Sequence, residues 1–353
     1  MEYSGPKLTR TAHMVNYARD AMNIVDEKGN TWLHVACENG DDEMLLGFIH
    51  QCRDLNLNVA NKNGETSLSL AISKGRQKTV EILVTAGSKV DQTEGTTPLH
   101  EAARAGHRIF IELLLRNGAK LEAKDKFEYT PLHTAALYKQ GEAVQALLDA
   151  GANINARCVD GKPVHLAATR AEYLNSSPDP LNLLVKAGAN PNEPNGKKLP
   201  PLIHFLNSIS CMVSSKEYID EPRVIEIVSG LLDKGADVNI TDGDKNTPLH
   251  AACSIRKRGI IKLLLDRGAD HKARNKRKDT PFFNFSLCAN DKISLSEVVA
   301  ITKVLLEAGA KIDYGTLKNY HTIIEDEEQY DKRDPDLKEL KRIISKNSAC
   351  IIS

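Results

Sequence analysis

The residue types able to do chemistry in this chain are thiols, imidazoles and a few clusters of arginine with aromatic rings. Seven cysteines (Cys37, Cys52, Cys158, Cys211, Cys253, Cys288 and Cys350) are scattered and odd in number, with no Cys-x-x-Cys pair. That pattern implies reduced thiols in a cytosol-like compartment, and neither a disulfide framework nor a zinc site. Cys350 stands apart. Cys350-Ile351-Ile352-Ser353 matches the Cys-aliphatic-aliphatic-X prenylation pattern, and serine in the last place favours farnesyl. One prenyl chain anchors weakly, so a second signal is needed; Lys338, Lys341, Arg342 and Lys346, opposed by Glu339, would supply it. The competing reading is a chance match of four residues.

Of the eleven histidines, His34, His100, His133, His165 and His250 occupy the same place, each in its own repeat. Each is alone there, and no His-Cys or His-Asp spacing suggests a ligand set. No nucleophile elbow, phosphate loop or paired-acid motif is present. The expectation is therefore no catalytic, cofactor-binding or metal residue, no small-molecule substrate, and a protein that is not an enzyme. Binding is better supported. Arg104, Arg108, Phe127, Tyr129, Leu137 and Tyr138 have the arginine and aromatic composition of binding hot spots. Packing of Phe127 and Tyr129 against neighbouring hairpins is the alternative. A second patch, Arg274, Lys276, Arg277 and Lys278, is basic; contact with an acidic partner or lipid headgroups competes there with a merely solvated tip.

These residues need elements to hold them, and the 353-residue chain supplies a repeat. Thr97-Pro98-Leu99-His100 returns after 33 residues as Thr130-Pro131-Leu132-His133, then as Thr247-Pro248-Leu249-His250 and, altered, as Thr280-Pro281-Phe282-Phe283. Weaker copies are Thr31-Trp32-Leu33-His34, Thr66-Ser67-Leu68-Ser69 and Pro163-Val164-His165. A Gly-Ala pair follows in phase at 118, 151, 188, 235, 268 and 309. Threonine before proline predicts a helix N-cap. Leu99, Ala102 and Ala103 predict a short helix that packs closely, and Ile109 to Leu115 a second with a wider apolar stripe. Gly118 predicts its end. Aromatic content of only 5% also suits stacked helices better than a sandwich or barrel.

The chain resembles the ankyrin-repeat family, whose 33-residue unit carries a Thr-Pro-Leu-His-x-Ala signature. The resemblance runs from about Asp26 to Gly315. It implies an all-α ankyrin-repeat solenoid of helix-turn-helix units joined by β-turn hairpins, signature histidines bonded to neighbouring backbone, and a protein partner on the face made by hairpin tips and first helices. The expected organisation is a capping segment over 1–25, about eight repeats over 26–315, a C-terminal capping helix region over 316–346 and a flexible tail over 347–353. Residues 11–22 and the stretch from Asp334 to Ile344 read as short capping helices, with the acidic run Glu325 to Glu328 a solvated connector. The sixth repeat is stretched: Gly188 to Gly235 spans 47 residues, and Ser208 to Pro222 either extends helices or forms a loop.

Lysine plus arginine and aspartate plus glutamate each total 47, which gives no electrostatic case for nucleic-acid binding. No stretch reaches the roughly 18 apolar residues of a membrane span. The expected protein is a monomeric cytoplasmic scaffold or adaptor, membrane-associated where Cys350 is farnesylated. That tail works only in a eukaryotic cell, so the chain resembles either a eukaryotic protein or an effector delivered into a host by an intracellular bacterium. An inhibitor that masks a partner's surface is the alternative. Asp237-Val238-Asn239 after Leu231 resembles ankyrin asparagines modified by an asparaginyl hydroxylase.

Overall fold

A computed structural model describes residues 25–52, 55–91, 96–169, 179–214, 219–288, 294–325 and 334–348. The chain divides into two compact units, Met1–Asn153 and Ile154–Ser353. Among the described residues, unit 1 holds four helix pairs: α1 (Trp32–Asn39) with α2 (Asp42–Gln51), α3 (Ser67–Ser73) with α4 (Gln77–Thr85), α5 (Pro98–Ala105) with α6 (Arg108–Arg116), and α7 (Pro131–Leu137) with α8 (Gly141–Asp149). Unit 2 begins with α9 (Pro163–Ala167) and α10 (Pro180–Lys186), then α11 (Pro201–Ser214) and α12 (Glu221–Asp233). It continues with α13 (Pro248–Ile255), α14 (Arg258–Asp266), α15 (Pro281–Cys288), α16 (Leu295–Glu307), α17 (Tyr314–Glu325) and α18 (Pro335–Ser348). The fold is an all-α ankyrin-type stack. Among the described residues there is no named strand, only isolated antiparallel bridges at Ala60–Thr66 and Cys158–Gly161.

The signature explains the first helix of each pair. Thr97 is extended (φ −80°, ψ 161°) and caps α5, its hydroxyl accepting from the His100 N–H, while Pro98 fills a first-turn place that needs no N–H. The Thr97 N–H in turn donates to His100 Nδ1 at 3.3 Å, closing a capping box. Thr31, Thr130 and Thr247 repeat it with His34, His133 and His250. At α3 the hydroxyl of Ser69 replaces the imidazole.

Each pair buries what it cannot bury alone. First helices stack on first helices and second on second, so each unit has an inner and an outer layer. In unit 1 the alanines Ala71, Ala102, Ala103, Ala135 and Ala136 are fully buried and let the inner helices approach closely. Ile111, Leu114, Val144 and Leu147 fill the gap to the outer layer. Each buried leucine contributes about 1.5–3 kcal/mol by removal from water. A polar ladder adds to this: the Lys89, Lys120 and Asn153 N–H groups donate to Asn58 Oδ1, Asp91 Oδ1 and Glu122 Oε1 of the preceding repeat, at 2.7, 2.8 and 2.7 Å. In unit 2, Asn192 and Asn239 play this part toward the Asp237 and Asp270 N–H groups. Both polar atoms of the Asn239 amide are engaged, since Nδ2 donates to the Gly268 carbonyl at 3.1 Å.

The stretched sixth repeat lengthens its helices: α11 has 14 residues and α12 has 13, with 215–218 outside the described residues. At the C-terminus α17 packs on α15 as another inner helix and α18 on α16 as another outer one. Asp313 opens α17 by accepting from the Thr316 N–H at 2.8 Å. Leu337, Leu340, Ile343 and Ile344 of α18 are buried, and Lys338, Lys341, Arg342 and Lys346 are exposed. The 11–22 segment, residues 170–178, residues 326–328 of the acidic run and the tail from 349 lie outside the described residues.

Candidate partner-binding surface

Six hairpin tips share one construction. Asp26, Asn61, Asp125, Asn195, Asp242 and Asn275 each accept, through Oδ1, the N–H groups two and four residues later, at 2.8–3.0 Å. This side-chain turn holds the tip in one shape without strands. The residue three places on has a positive φ in every case.

The candidate aromatic residues sit on such a tip in unit 1. Asp125 fixes the Phe127 and Tyr129 N–H groups at 2.8 and 2.9 Å. The Phe127 ring is 50% exposed, lies 5.9 Å from the Tyr129 ring and carries the Lys126 ammonium 5.0 Å from its centroid. Tyr129 is half-buried and stacks on His133 at 6.0 Å. Its carbonyl also receives His100 Nε2 at 2.9 Å, so the tip is tied to two consecutive inner helices. Leu137 and Tyr138 end α7, both half-buried.

Arg104 lies in the last turn of α5, forked onto Glu101 at 3.0 and 2.5 Å. Glu101 and, more weakly, Tyr138 raise its already high pKa. Arg108 is placed differently. It opens the outer helix α6 and binds Glu112 at 2.9 Å and Asp149 at 3.4 Å, which holds it among outer-layer carboxylates. In unit 2, Arg277 pairs with Asp279 at 3.2 Å, and Lys278 occupies the positive-φ tip place at φ 67°. Cys350 lies outside the described residues.

The histidines lock this frame. His34, His100, His165 and His250 pass Nε2 to the carbonyls of Glu65, Tyr129, Glu193 and Asp279 in the next repeat. Because Nδ1 accepts from the cap N–H, Nε2 carries the proton. Burial lowers all four pKa values and favours that neutral form. In the fifth repeat Lys162 stands where the cap threonine belongs; its ammonium reaches Glu193 at 2.6 Å, and this bond lowers the Glu193 pKa. Burial pushes the Cys37 thiol up to about 12, so it is inert.

The tip-forming Asp and Asn residues escaped sequence reasoning. Their signal is an Asp or Asn five places before the cap threonine, as in Asp26–Thr31, Asn61–Thr66, Asp125–Thr130, Asp242–Thr247 and Asn275–Thr280. Among the described residues no group of three His, Cys, Asp or Glu could hold a metal ion, and no helix is long and apolar enough to cross a membrane.

Helix pairs in two layers, linked by rigid exposed tips, define a helical-repeat protein. The chain belongs to the ankyrin-repeat family: family profiles described as ankyrin repeats match residues 10–94, 86–158 and 231–282, together more than half of its length. It is similar to an ankyrin repeat domain-containing protein of Stachybotrys chartarum, SAT10, at 28% identity over 84% of this chain and 14% of that protein. It is also similar to NF-kappa-B inhibitor zeta of Bos taurus, at 29% identity over 35% of this chain and 18% of that protein. Thus the chain spans less than a quarter of the length of both relatives. Among solved structures, the ankyrin repeat domain of Bcl-3 matches with a TM-score of 0.49 and 26% identity, over 62% of this chain and 93% of that one.

Proposed function

We propose that the chain is a scaffold or adaptor that binds a protein partner across the inner helices and hairpin tips of unit 1, and that it acts by recognition and not by catalysis. The observation that carries this reading is Phe127. An apolar ring half in water contributes little to the fold, yet Asp125, Tyr129 and Lys126 hold it in a fixed position. A preorganised aromatic residue beside Tyr129, on a unit that also presents Arg104 and Tyr138, has the makings of a hot spot. Arg108, committed to Glu112 and Asp149, is left out of that surface.

We propose further that Cys350 is farnesylated, with the exposed Lys338, Lys341, Arg342 and Lys346 of α18 as the second attraction to an anionic leaflet. The protein then partitions between cytoplasm and membrane, in its own eukaryotic cell or in the host of a bacterium that delivers it. One experiment tests both parts: affinity purification with mass spectrometry, and membrane fractionation, of wild type, Phe127→Ala and Cys350→Ser chains in human cells. Phe127→Ala is expected to lose the principal partner, a weakening of roughly 30-fold for a hot-spot loss of about 2 kcal/mol. Cys350→Ser is expected to keep the partner and leave the membrane fraction. An unchanged partner set for Phe127→Ala rejects the surface, and a wild-type chain without a farnesyl mass rejects the tail.

The relative named as an inhibitor supports a second reading, in which the same face masks a partner's own binding surface. Competition between this chain and the partner's ligand distinguishes it: mutual exclusion favours the inhibitor, a ternary complex the adaptor.

A further inference from the structure

Unit 2 carries a second surface whose chemistry differs from that of the aromatic tip. Its tips at 195–198, 242–245 and 275–278 hold six cations, Lys197, Lys198, Lys245, Lys276, Arg277 and Lys278, against two carboxylates, Asp242 and Asp244. Asp242 is consumed by its own turn, accepting from the Asp244 and Asn246 N–H groups and from Asn246 Nδ2. Asp244 faces Lys276 at 3.4 Å, and Arg277 folds back on Asp279. The ammonium groups of Lys197, Lys198, Lys245 and Lys278 are exposed and make no ion pair among the described residues.

Three of these lysines sit in a costly place. The positive-φ position of the tip is glycine at Gly29 and Gly64 and the acidic Glu128 in unit 1, and glycine at Gly161 in unit 2. Lys198, Lys245 and Lys278 adopt it at φ 60°, 61° and 67°, a conformation penalised by any Cβ. Three successive repeats therefore carry a charged side chain at the one position where glycine folds more easily. The tips also touch in sequence. The Lys198 side chain fills the space that a side chain at Gly243 would occupy, and the Lys276 N–H donates to the Asp244 carbonyl at 2.9 Å. The result is a run of three touching tips, each bearing exposed lysine.

We infer that this run of tips in unit 2 binds an extended acidic segment of a protein partner, with carboxylates answering the successive tips. The spacing favours a linear ligand: stacked helices lie about 8–10 Å apart, and a polyproline-II segment covers about 9 Å in three residues while returning every third side chain to the same face. An acidic residue at every third position therefore meets one tip per repeat. The inference deepens the protein-binding reading, on which it rests, by assigning a second contact of defined chemistry remote in sequence from Phe127.

The test uses the full chain and a fluorescein-labelled peptide of repeated Glu-Glu-Ser triplets, read by anisotropy at several salt concentrations. Phosphatidylserine vesicles and a short DNA duplex serve as rival anions. The wild type is expected to bind the peptide in preference to both, less tightly as salt rises. The variant Lys198→Gly/Lys245→Gly/Lys278→Gly is expected to bind roughly tenfold more weakly, since each exposed pair is worth little alone and three are lost. Its melting temperature is expected to stay level or rise, because glycine relieves all three tips. Equal peptide affinity in variant and wild type, or no binding by the wild type, overturns the inference. Preference for the vesicles or the duplex overturns it too, and reassigns the tips. Partner capture that depends on Phe127 while the peptide fails to bind leaves the scaffold reading standing and removes this one alone.

Discussion

Each signature histidine does two jobs with one ring, and the second depends on protonation. Nδ1 of His100 accepts the Thr97 N–H while Nε2 donates to Tyr129 of the next hairpin. A proton on Nδ1 turns an acceptor into a donor facing another donor. Burial lowers the folded pKa of His34, His100, His165 and His250 below the ordinary 6.5. Above 6.5 the rings are neutral in both folded and unfolded chains, and their contribution is complete. As pH falls through 6.5 toward the folded values, the unfolded chain takes up protons first, so stability is lost on acidification. Thermal melts are expected to shift down between pH 7.5 and pH 5, and His100→Ala/His250→Ala to flatten that dependence while lowering the melting temperature at neutral pH. Each lost ring leaves buried partners unsatisfied, at about 1–3 kcal/mol.

At the scale of the element, what the sequence disclosed and what it hid divide on whether a residue type has a conformational preference. Thr97, Pro98 and Gly118 do, and their phased recurrence made both helices of a repeat legible. Gly118 sits at φ 88° with nothing within 4 Å of where a Cβ would lie, so Gly118→Ala tests backbone conformation alone. It is expected to destabilise by about 1 kcal/mol, measured by urea unfolding. The tip acids and amides were hidden because Asp and Asn are ordinary loop residues, and only their fixed distance to the cap distinguishes them. Lysines at positive φ left no trace in the sequence, since lysine signals no turn. Helix α17 was obscured for a third reason: Tyr314-Gly315-Thr316 lacks the signature, and its start depends on Asp313. For the surface, Phe127 and Tyr129 were legible as a pair, whereas the withdrawal of Arg108 needed the position of Asp149, which is 41 residues away.

At the scale of unit 2, the last two helices close the stack through specific contacts. Tyr320 of α17 is fully buried, meets Phe282 edge to face at 6.2 Å and bonds Thr302 at 2.7 Å. Glu339 of α18 binds Lys303 at 2.9 Å and Arg342 at 2.7 Å; the Arg342 and Lys303 bonds hold its carboxyl at about 2. A chain ending at Gly309 would take Tyr320 from the Phe282 ring and from the Thr302 hydroxyl, and uncovering one such apolar side chain costs about 1.5–3 kcal/mol. Its thermal transition is expected to fall and broaden. Retention of the full-length melting temperature would show that α17 and α18 do not cap the stack.

The polar ladder between hairpins has a direction. Asn58, Asp91 and Glu122 in unit 1, and Asn192 and Asn239 in unit 2, each reach forward to hold a backbone N–H of the repeat that follows, and the histidines reach forward with Nε2 in the same sense. A chain leaving the ribosome therefore meets a finished template at every step. The newest repeat finds acceptors and donors already positioned by the one before it. Synthesis and folding can advance in register: the polar groups that a chain paused between repeats leaves for the next hairpin are mostly side-chain groups that water can satisfy, while its apolar face waits for the next helix pair.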